Sequence, residues 1–289
     1  MKAHTRFVSF SQNGEDVLLN RVFGQMDAGV YVEVGANHPR IDSVSRSFYD
    51  RGWSGIAIEP NPTYADLYRK ERPRDIVIEA AVTDSLESSI TLHLIEGTGL
   101  STLMDAISIE HVEHGQAVTD VTVPTIRLDK AITANGLAAK DIHFLMIDTE
   151  GAELQVLRSI DLTVVRPWVL IVEATAPGST VATHESWEPL VLEAGYHFCL
   201  FDGLSRFYVS SEKRAELAAP LSYPVCVFDD FVTLDELALE SELERLRGEI
   251  ADTQSALAEA ISATQRIHAT KSWRLTRPLR AIRGRFRSN

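Results

Sequence analysis

Five acidic residues fall where short apolar runs end. Glu33 sits inside Tyr31-Val32-Glu33-Val34, and Glu59 follows Gly55-Ile56-Ala57-Ile58. Asp84 comes just after Ile76–Val82, Asp148 after His143–Ile147, and Glu173 after Trp168–Val172. Apolar runs of this length, bounded by polar residues, read as buried strands. In an open α/β sheet the parallel strands present their carboxyl ends on one edge, and ligands bind there. Five carboxylates on that edge build an acidic crevice. An acid after the second strand can accept both hydroxyls of a ribose.

The first run stops at Gly35, which lacks a Cβ and so lets the chain turn sharply or a ligand approach closely. It continues as Gly35-Ala36-Asn37-His38-Pro39. The three-glycine fingerprint that cradles a pyrophosphate is missing, which disfavours a nucleotide-dependent oxidoreductase. An acidic pocket suits a cofactor that is a nucleoside, cationic and free of phosphates. S-adenosylmethionine meets all three conditions.

The strands need helices between them, and the sequence supplies these. Val17, Leu18, Leu19, Val22 and Phe23 form one apolar stripe after Ser11-Gln12-Asn13-Gly14-Glu15-Asp16, where an acidic first turn also suits the helix dipole. Residues 43–51 share an apolar face. Pro62 opens a helix over 62–71, and Leu154, Leu157 and Ile160 mark another after Asp148. Strand and helix alternating in this way means βαβ units. Ile90–Ile95 and Val121–Ile126 are further strands. A helix over 187–194 leads into Tyr196–Phe201 and Arg206–Val209, which Asp202-Gly203 joins as an antiparallel hairpin. His111 and His114, three residues apart, read as exposed helix residues rather than metal ligands.

The chain carries a net charge of −13, which argues against binding a nucleic-acid backbone. Cys199 and Cys226 lie in apolar runs and read as buried, reduced thiols. No run has the ~18 apolar residues of a spanning helix, and the first residues lack a signal-like apolar core, so a cytoplasmic location is expected. Charge is uneven: residues 270–289 hold seven basic residues and no acidic ones. From Leu239, the positions Leu243, Leu246, Ile250, Thr253, Leu257, Ala260, Thr264 and Ile267 step by four and three alternately, a coiled-coil seam of about four heptads over 239–267. Beyond it, Leu275, Leu279, Ile282 and Phe286 recur among arginines as a basic amphipathic segment. Such a segment suits a membrane surface, or an acidic partner. The expected division is a body over 1–227, an acidic linker and coiled-coil helix over 228–270, and a basic tail over 271–289.

Residues 9–210 resemble the FkbM family of S-adenosylmethionine-dependent methyltransferases. The resemblance rests on Ser11–Asp16, Val32-Glu33-Val34-Gly35-Ala36-Asn37, Ile58-Glu59-Pro60-Asn61, Thr125–Asp129 and Ile147-Asp148-Thr149-Glu150-Gly151-Ala152-Glu153. The family commonly has Asp where this chain has Glu33. The resemblance implies a Rossmann-like class I methyltransferase sheet, mostly parallel with an antiparallel last strand, and O-methyl transfer, in many members to a sugar hydroxyl. The cofactor would meet Gln12, Glu15, Asp16, Glu33, Gly35, Ala36, Asn37, Glu59, Pro60, Asn61 and Asp84. Methyl transfer to a hydroxyl needs a base or a metal to lower the oxygen's proton affinity. His184, in the loop after the fifth strand, is the candidate base, with Glu150 the alternative. Asp148 and Glu173 end adjacent strands and are the pair for a divalent cation such as Mg2+. Asp202 and Arg206 are candidates for acceptor hydroxyls. The tail around Ser272-Trp273-Arg274-Leu275 is similar to segments on bacterial enzymes of surface-polysaccharide assembly. A reading of another class is a membrane-recruited scaffold with an inactive body.

Overall fold

The computed structural model describes residues 6–95, 101–102 and 117–277. His111 and His114, and the tail residues Leu279, Ile282 and Phe286, lie outside the described residues. The elements run β1 (Phe7–Ser9), α1 (Glu15–Phe23), β2 (Val30–Val34), α2 (Arg46–Asp50), β3 (Ser54–Ile58), α3 (Pro62–Glu71), β4 (Ile76–Ile78), β5 (Ala81–Val82), β6 (Ser89–Ile95), β7 (Ser101–Thr102) and β8 (Val118–Ile126). Next come α4 (Leu128–Ala134), β9 (Phe144–Ile147), α5 (Glu153–Arg158), β10 (Val169–Glu173), α6 (Glu188–Glu193), β11 (Tyr196–Phe201), β12 (Ser205–Ser210), α7 (Arg214–Leu217) and β13 (Phe231–Thr233). The C-terminal helices are α8 (Leu234–Ala269) and α9 (Lys271–Leu275).

Seven strands form the main sheet in the order β11-β12-β10-β9-β2-β3-β4. Strands β4, β3, β2, β9 and β10 are parallel, and β12 runs antiparallel between β10 and β11. The order reverses between β2 and β9, which opens a crevice at their carboxyl ends. Alternate residues feed two cores. Val32, Val34, Leu145, Ile147, Leu170 and Val172 pack with Leu128, Leu157 and Val191 of α4, α5 and α6. Tyr31, Phe144, Met146 and Ile171 pack with Leu18 and Phe23 of α1 and Phe48 of α2. The sheet is thus covered on both faces, which explains its near-continuous apolar strands.

The apolar run Ile76–Val82 is not one strand. The chain leaves the main sheet after Ile78, and Ala81–Val82 pair instead with Thr125–Ile126 in a four-stranded sheet, β5-β8-β6-β7. Asp84 therefore follows a strand of the second sheet. Both cysteines are free and only partly buried; Cys199 lies on β11, an edge strand whose outer side is open.

The chain divides into two compact units, the first ending at Val232 and the second starting at Thr233. The first runs past residue 227 because β13 pairs with β1. In the second, the Thr233 hydroxyl accepts from Glu236 N–H (3.1 Å) and the Glu236 carboxylate accepts from Thr233 N–H (2.9 Å). This reciprocal cap starts a 36-residue helix, α8, with no buried residue. It stops at Thr270, whose extended backbone breaks the rod and whose hydroxyl caps α9. Among the described residues, no helix is long and apolar enough to cross a membrane.

Candidate active site

A cleft opens at the carboxyl ends of β2, β3 and β9, lined among others by Gln12, Glu33, Gly35, Ala36, Asn37, Glu59, Pro60, Asp148 and Glu150. Its centre is the turn at Gly35. The backbone there has φ +76°, and a Cβ would lie 1.7 Å from the carbonyl oxygen of Asp148. The sequence allows a sharp turn or a close ligand approach at this glycine, and its positive φ makes the turn. The packing shows a glycine that admits the neighbouring strand's backbone.

Two residues on, Asn37 also has a left-handed backbone, φ 50°. This turns its N–H onto Glu59 Oε2 at 2.7 Å, while Asn61 N–H donates to Oε1 at 2.7 Å. Asn61 then caps α3 through its side chain. Burial pushes the Glu59 carboxyl up to about 7, with the two N–H groups pulling it down and Asp148 adding to the rise. Glu59 is thus held by rigid backbone donors, with lone pairs left for further donors in the cleft.

Glu33 is answered differently. It accepts from Ser45 N–H (2.9 Å) and the Ser45 hydroxyl (2.6 Å). Behind Ser45 lies Arg72, fully buried, which donates to Asp75 (2.7 Å), the Tyr31 hydroxyl (2.7 Å) and Ser43 (3.1 Å). Burial raises the Glu33 pKa, and Arg72 and Ser45 work against that rise. No local pattern marks Arg72 as the hub: its partners lie up to 41 residues away.

Across Gly35 the acids face one another. Asp148 and Glu173 end β9 and β10, and the Asp148 charge adds to the rise of the Glu173 carboxyl. Burial raises both, and Glu173 rises further because Asp148, Glu150 and Glu153 surround it. One Glu173 oxygen is buried without a partner. Glu150 has φ 53° and a carboxyl pushed up to about 8 by burial, then by Asp148 and Glu153. Glu153 braces this loop, accepting from the Thr149 and Gly151 N–H groups at 3.1 Å each. Among the described residues no group of three or more His, Cys, Asp or Glu is arranged to hold a metal ion.

Other expected residues lie apart from the cleft's lining. Asp16 accepts from the hydroxyls of Ser9 and Ser11 (2.7 Å each) and from Phe10 N–H (2.8 Å), so it ties down the strand before α1. Glu15 accepts from Asn13 N–H (3.0 Å), and burial followed by Asp202 pushes it up to about 8. Asn61 contributes its N–H behind Glu59. Asp84 is not among the lining residues, although Ala81 and Val82 of β5 are. His184 lies 3.9 Å from Glu188 and beside Trp187. Trp187 packs on the face of β10 that carries Val172, whereas strand alternation turns Glu173 to the other. Arg206 joins that outer group, donating to Glu188 (2.8 Å) and to the Tyr208 hydroxyl (2.9 Å). Asp202 accepts from Leu204 and Ser205 N–H (2.9 and 2.7 Å), which is how it shapes the hairpin. Tyr64, Asp42 and Thr149 line the cleft without having been expected there.

The strand order and the cleft at its reversal define a doubly wound α/β domain with a candidate ligand site at the switch point. The family model described as "Methyltransferase FkbM domain" matches residues 33–198. That is more than half of the chain, which belongs to the FkbM methyltransferase family; its class of chemistry is S-adenosylmethionine-dependent methyl transfer. No curated protein matches it in sequence. Similar solved structures include a TehB-like SAM-dependent methyltransferase from Corynebacterium glutamicum, with 7% identity, 70% of this chain and 89% of that one covered, and a TM-score of 0.38. Precorrin-6y C5,15-methyltransferase from Geobacter metallireducens shares 10% identity, with 69% and 89% covered and a TM-score of 0.37. An O-methyltransferase from Bacillus cereus, in complex with SAH, shares 12% identity over 70% and 83%, with a TM-score of 0.32.

Proposed function

We propose that this protein methylates a hydroxyl oxygen, with a saccharide of surface polysaccharide or glycolipid as acceptor. When bound, S-adenosylmethionine supplies a methyl group on a sulfonium sulfur. Glu59 is the residue to hold the ribose hydroxyls, since its carboxylate is already fixed by Asn37 and Asn61 N–H. The turn at Gly35–Asn37 forms the adjoining wall.

The observation that carries the oxygen reading is Glu150. It sits in a strained left-handed conformation on the same cleft as Glu59, and such strain concentrates at functional sites. Its carboxyl, pushed up to about 8, is matched to taking a proton from a hydroxyl near neutral pH. The transfer is an in-line displacement, so alignment of donor and acceptor supplies much of the rate. Carboxylates with free lone pairs suit an acceptor rich in hydroxyl donors. Asp148 and Glu173 are also the pair that would hold a divalent cation, its shell completed by water and acceptor hydroxyls.

Calorimetry should show S-adenosylhomocysteine binding in the micromolar range; no binding at high protein concentration would remove the methyltransferase assignment. With an accepted saccharide, kcat/KM should rise with pH toward about 8, and Glu150→Gln should flatten that limb. A rising limb unchanged in the variant would take the base role from Glu150. For the acceptor, glycan from a deletion strain should lose ~14 Da (one CH2) per modified residue.

A further inference from the structure

A 36-residue helix with an apolar stripe and no buried residue is an unfinished structure. Leu239, Leu243, Leu246, Ile250, Leu257 and Ile267 are each between 40% and 64% exposed. An amphipathic helix of this kind gains its stability by burying that stripe against something. The stripe repeats every 3.5 residues on average, the period of a left-handed supercoil.

The seam assigns Leu243, Ile250, Leu257 and Thr264 to the a positions, and Leu239, Leu246, Thr253, Ala260 and Ile267 to d. The four best layers, Leu239 to Ile250, are consecutive and sit at the amino-terminal end. Two copies in parallel stack these layers like on like. Antiparallel copies oppose them to the Thr- and Ala-bearing half. At the centre of the strong half, Leu246 at d is followed by Ile250 at a, a combination that favours two parallel strands.

Charge points the same way. In a parallel dimer a g residue meets the e residue five positions on in the partner. Here Glu242 at g would meet Arg247 at e of the second copy, and symmetry makes the pair twice. Arg245, not Arg247, holds Glu242 within its own helix, donating at 2.8 Å and 2.6 Å, and also pairs with Glu249. Arg247 takes part in no ion pair shown among the described residues. In antiparallel pairing g meets g and e meets e: full overlap sets Arg247 against Gln254, and the staggered register that sets it against Glu240 brings Glu242 towards Glu249 and leaves half of the helix unpaired. The preceding g–e pair, Asp235 with Glu240, is like-charged and limits the zipper at its first turn.

We propose that α8 docks on a second copy of this chain as a parallel, in-register two-stranded coiled coil, with Glu242 and Arg247 of opposite chains setting orientation and register. The test is sedimentation equilibrium on the full-length chain and on two single variants, Arg247→Glu and Glu242→Arg, both on an exposed helix surface. The wild type is expected to be a dimer, and each variant alone to raise the dimer dissociation constant about tenfold. Mixed together they should recover a heterodimer near wild-type affinity, because the mixed pair restores both contacts. A monomeric wild type at tens of micromolar would overturn the proposal. So would a dimer whose affinity neither variant changes, or a mixture with no preference for the heterodimer.

Discussion

The two halves of the sheet's carboxyl edge hold the same kind of residue and treat it in opposite ways. On the β2–β3 side every buried carboxylate is met by a fixed donor: Ser45 for Glu33, and Asn37 and Asn61 N–H for Glu59. Arg72 backs the first of these and neutralises Asp75 nearby. On the β9–β10 side Asp148, Glu150 and Glu173 have chiefly one another, and burial raises all three. The first half is preorganised, so a ligand finds its hydrogen-bond acceptors already in place. Burial raises carboxyls on both sides, Glu59 to about 7 among them, but on the second side the neighbouring carboxylates push Glu150 and Glu173 further. The difference fits a division of labour in which one half holds a constant partner while the other takes and releases a proton.

Breaking the first half should cost most. Arg72→Met leaves Glu33 and Asp75 buried without their cation, and should reduce unfolding free energy by roughly 3–5 kcal/mol in a urea titration. A loss under about 1 kcal/mol would mean that the network is not holding that side together. A middle-sized effect is expected at Glu59. Glu59→Gln replaces one acceptor oxygen by an NH2 that faces an N–H, so S-adenosylhomocysteine affinity should fall about 10- to 100-fold by calorimetry. Thermal stability should change far less than it does for the Arg72 variant.

The smallest effect sharpens the second half. Glu150 and Glu173 have folded-state pKa values raised above the ordinary carboxyl range. The folded state then holds more protons than the unfolded one. Its stability is full below the ordinary carboxyl pKa of about 4.5 and declines as pH rises toward the folded values. Free of ligand and metal, the melting temperature should therefore drop between about pH 5 and 8. Glu173→Gln should flatten that decline, by up to about 1.4 kcal/mol per pH unit. An unchanged slope would place the stored protons elsewhere.

Much of this edge was legible because apolar runs and the acids that end them are local patterns. Glu33, Glu59, Asp148 and Glu173 all came out at ends of main-sheet strands. What was missed at Asp84 and Arg72 depended on partners distant in sequence. Asp84 was misplaced because nothing within Ile76–Val82 says that the chain changes sheets, a choice made by pairing with Thr125–Ile126. His184 looked free in a polar loop, yet Trp187 anchors that loop in the core and the imidazole lies near Glu188. Arg72 was invisible because Tyr31, Ser43 and Ser45 reach it from stretches 27 to 41 residues away. Asp16 is the instructive case: Ser9 and Ser11 stand beside it in the sequence, and a local tie was there to be read.

The contact between Gly35 and the Asp148 carbonyl has a consequence for anyone remodelling the enzyme. It welds the β2–β3 half to the β9–β10 half, with no slack for even a methyl group. In a library selected for new acceptors, codon 35 is therefore one to hold fixed. Tyr64, which lines the cleft and touches the His38 ring edge-on, is a better place for diversity than Thr149, whose hydroxyl and N–H both hold Glu153.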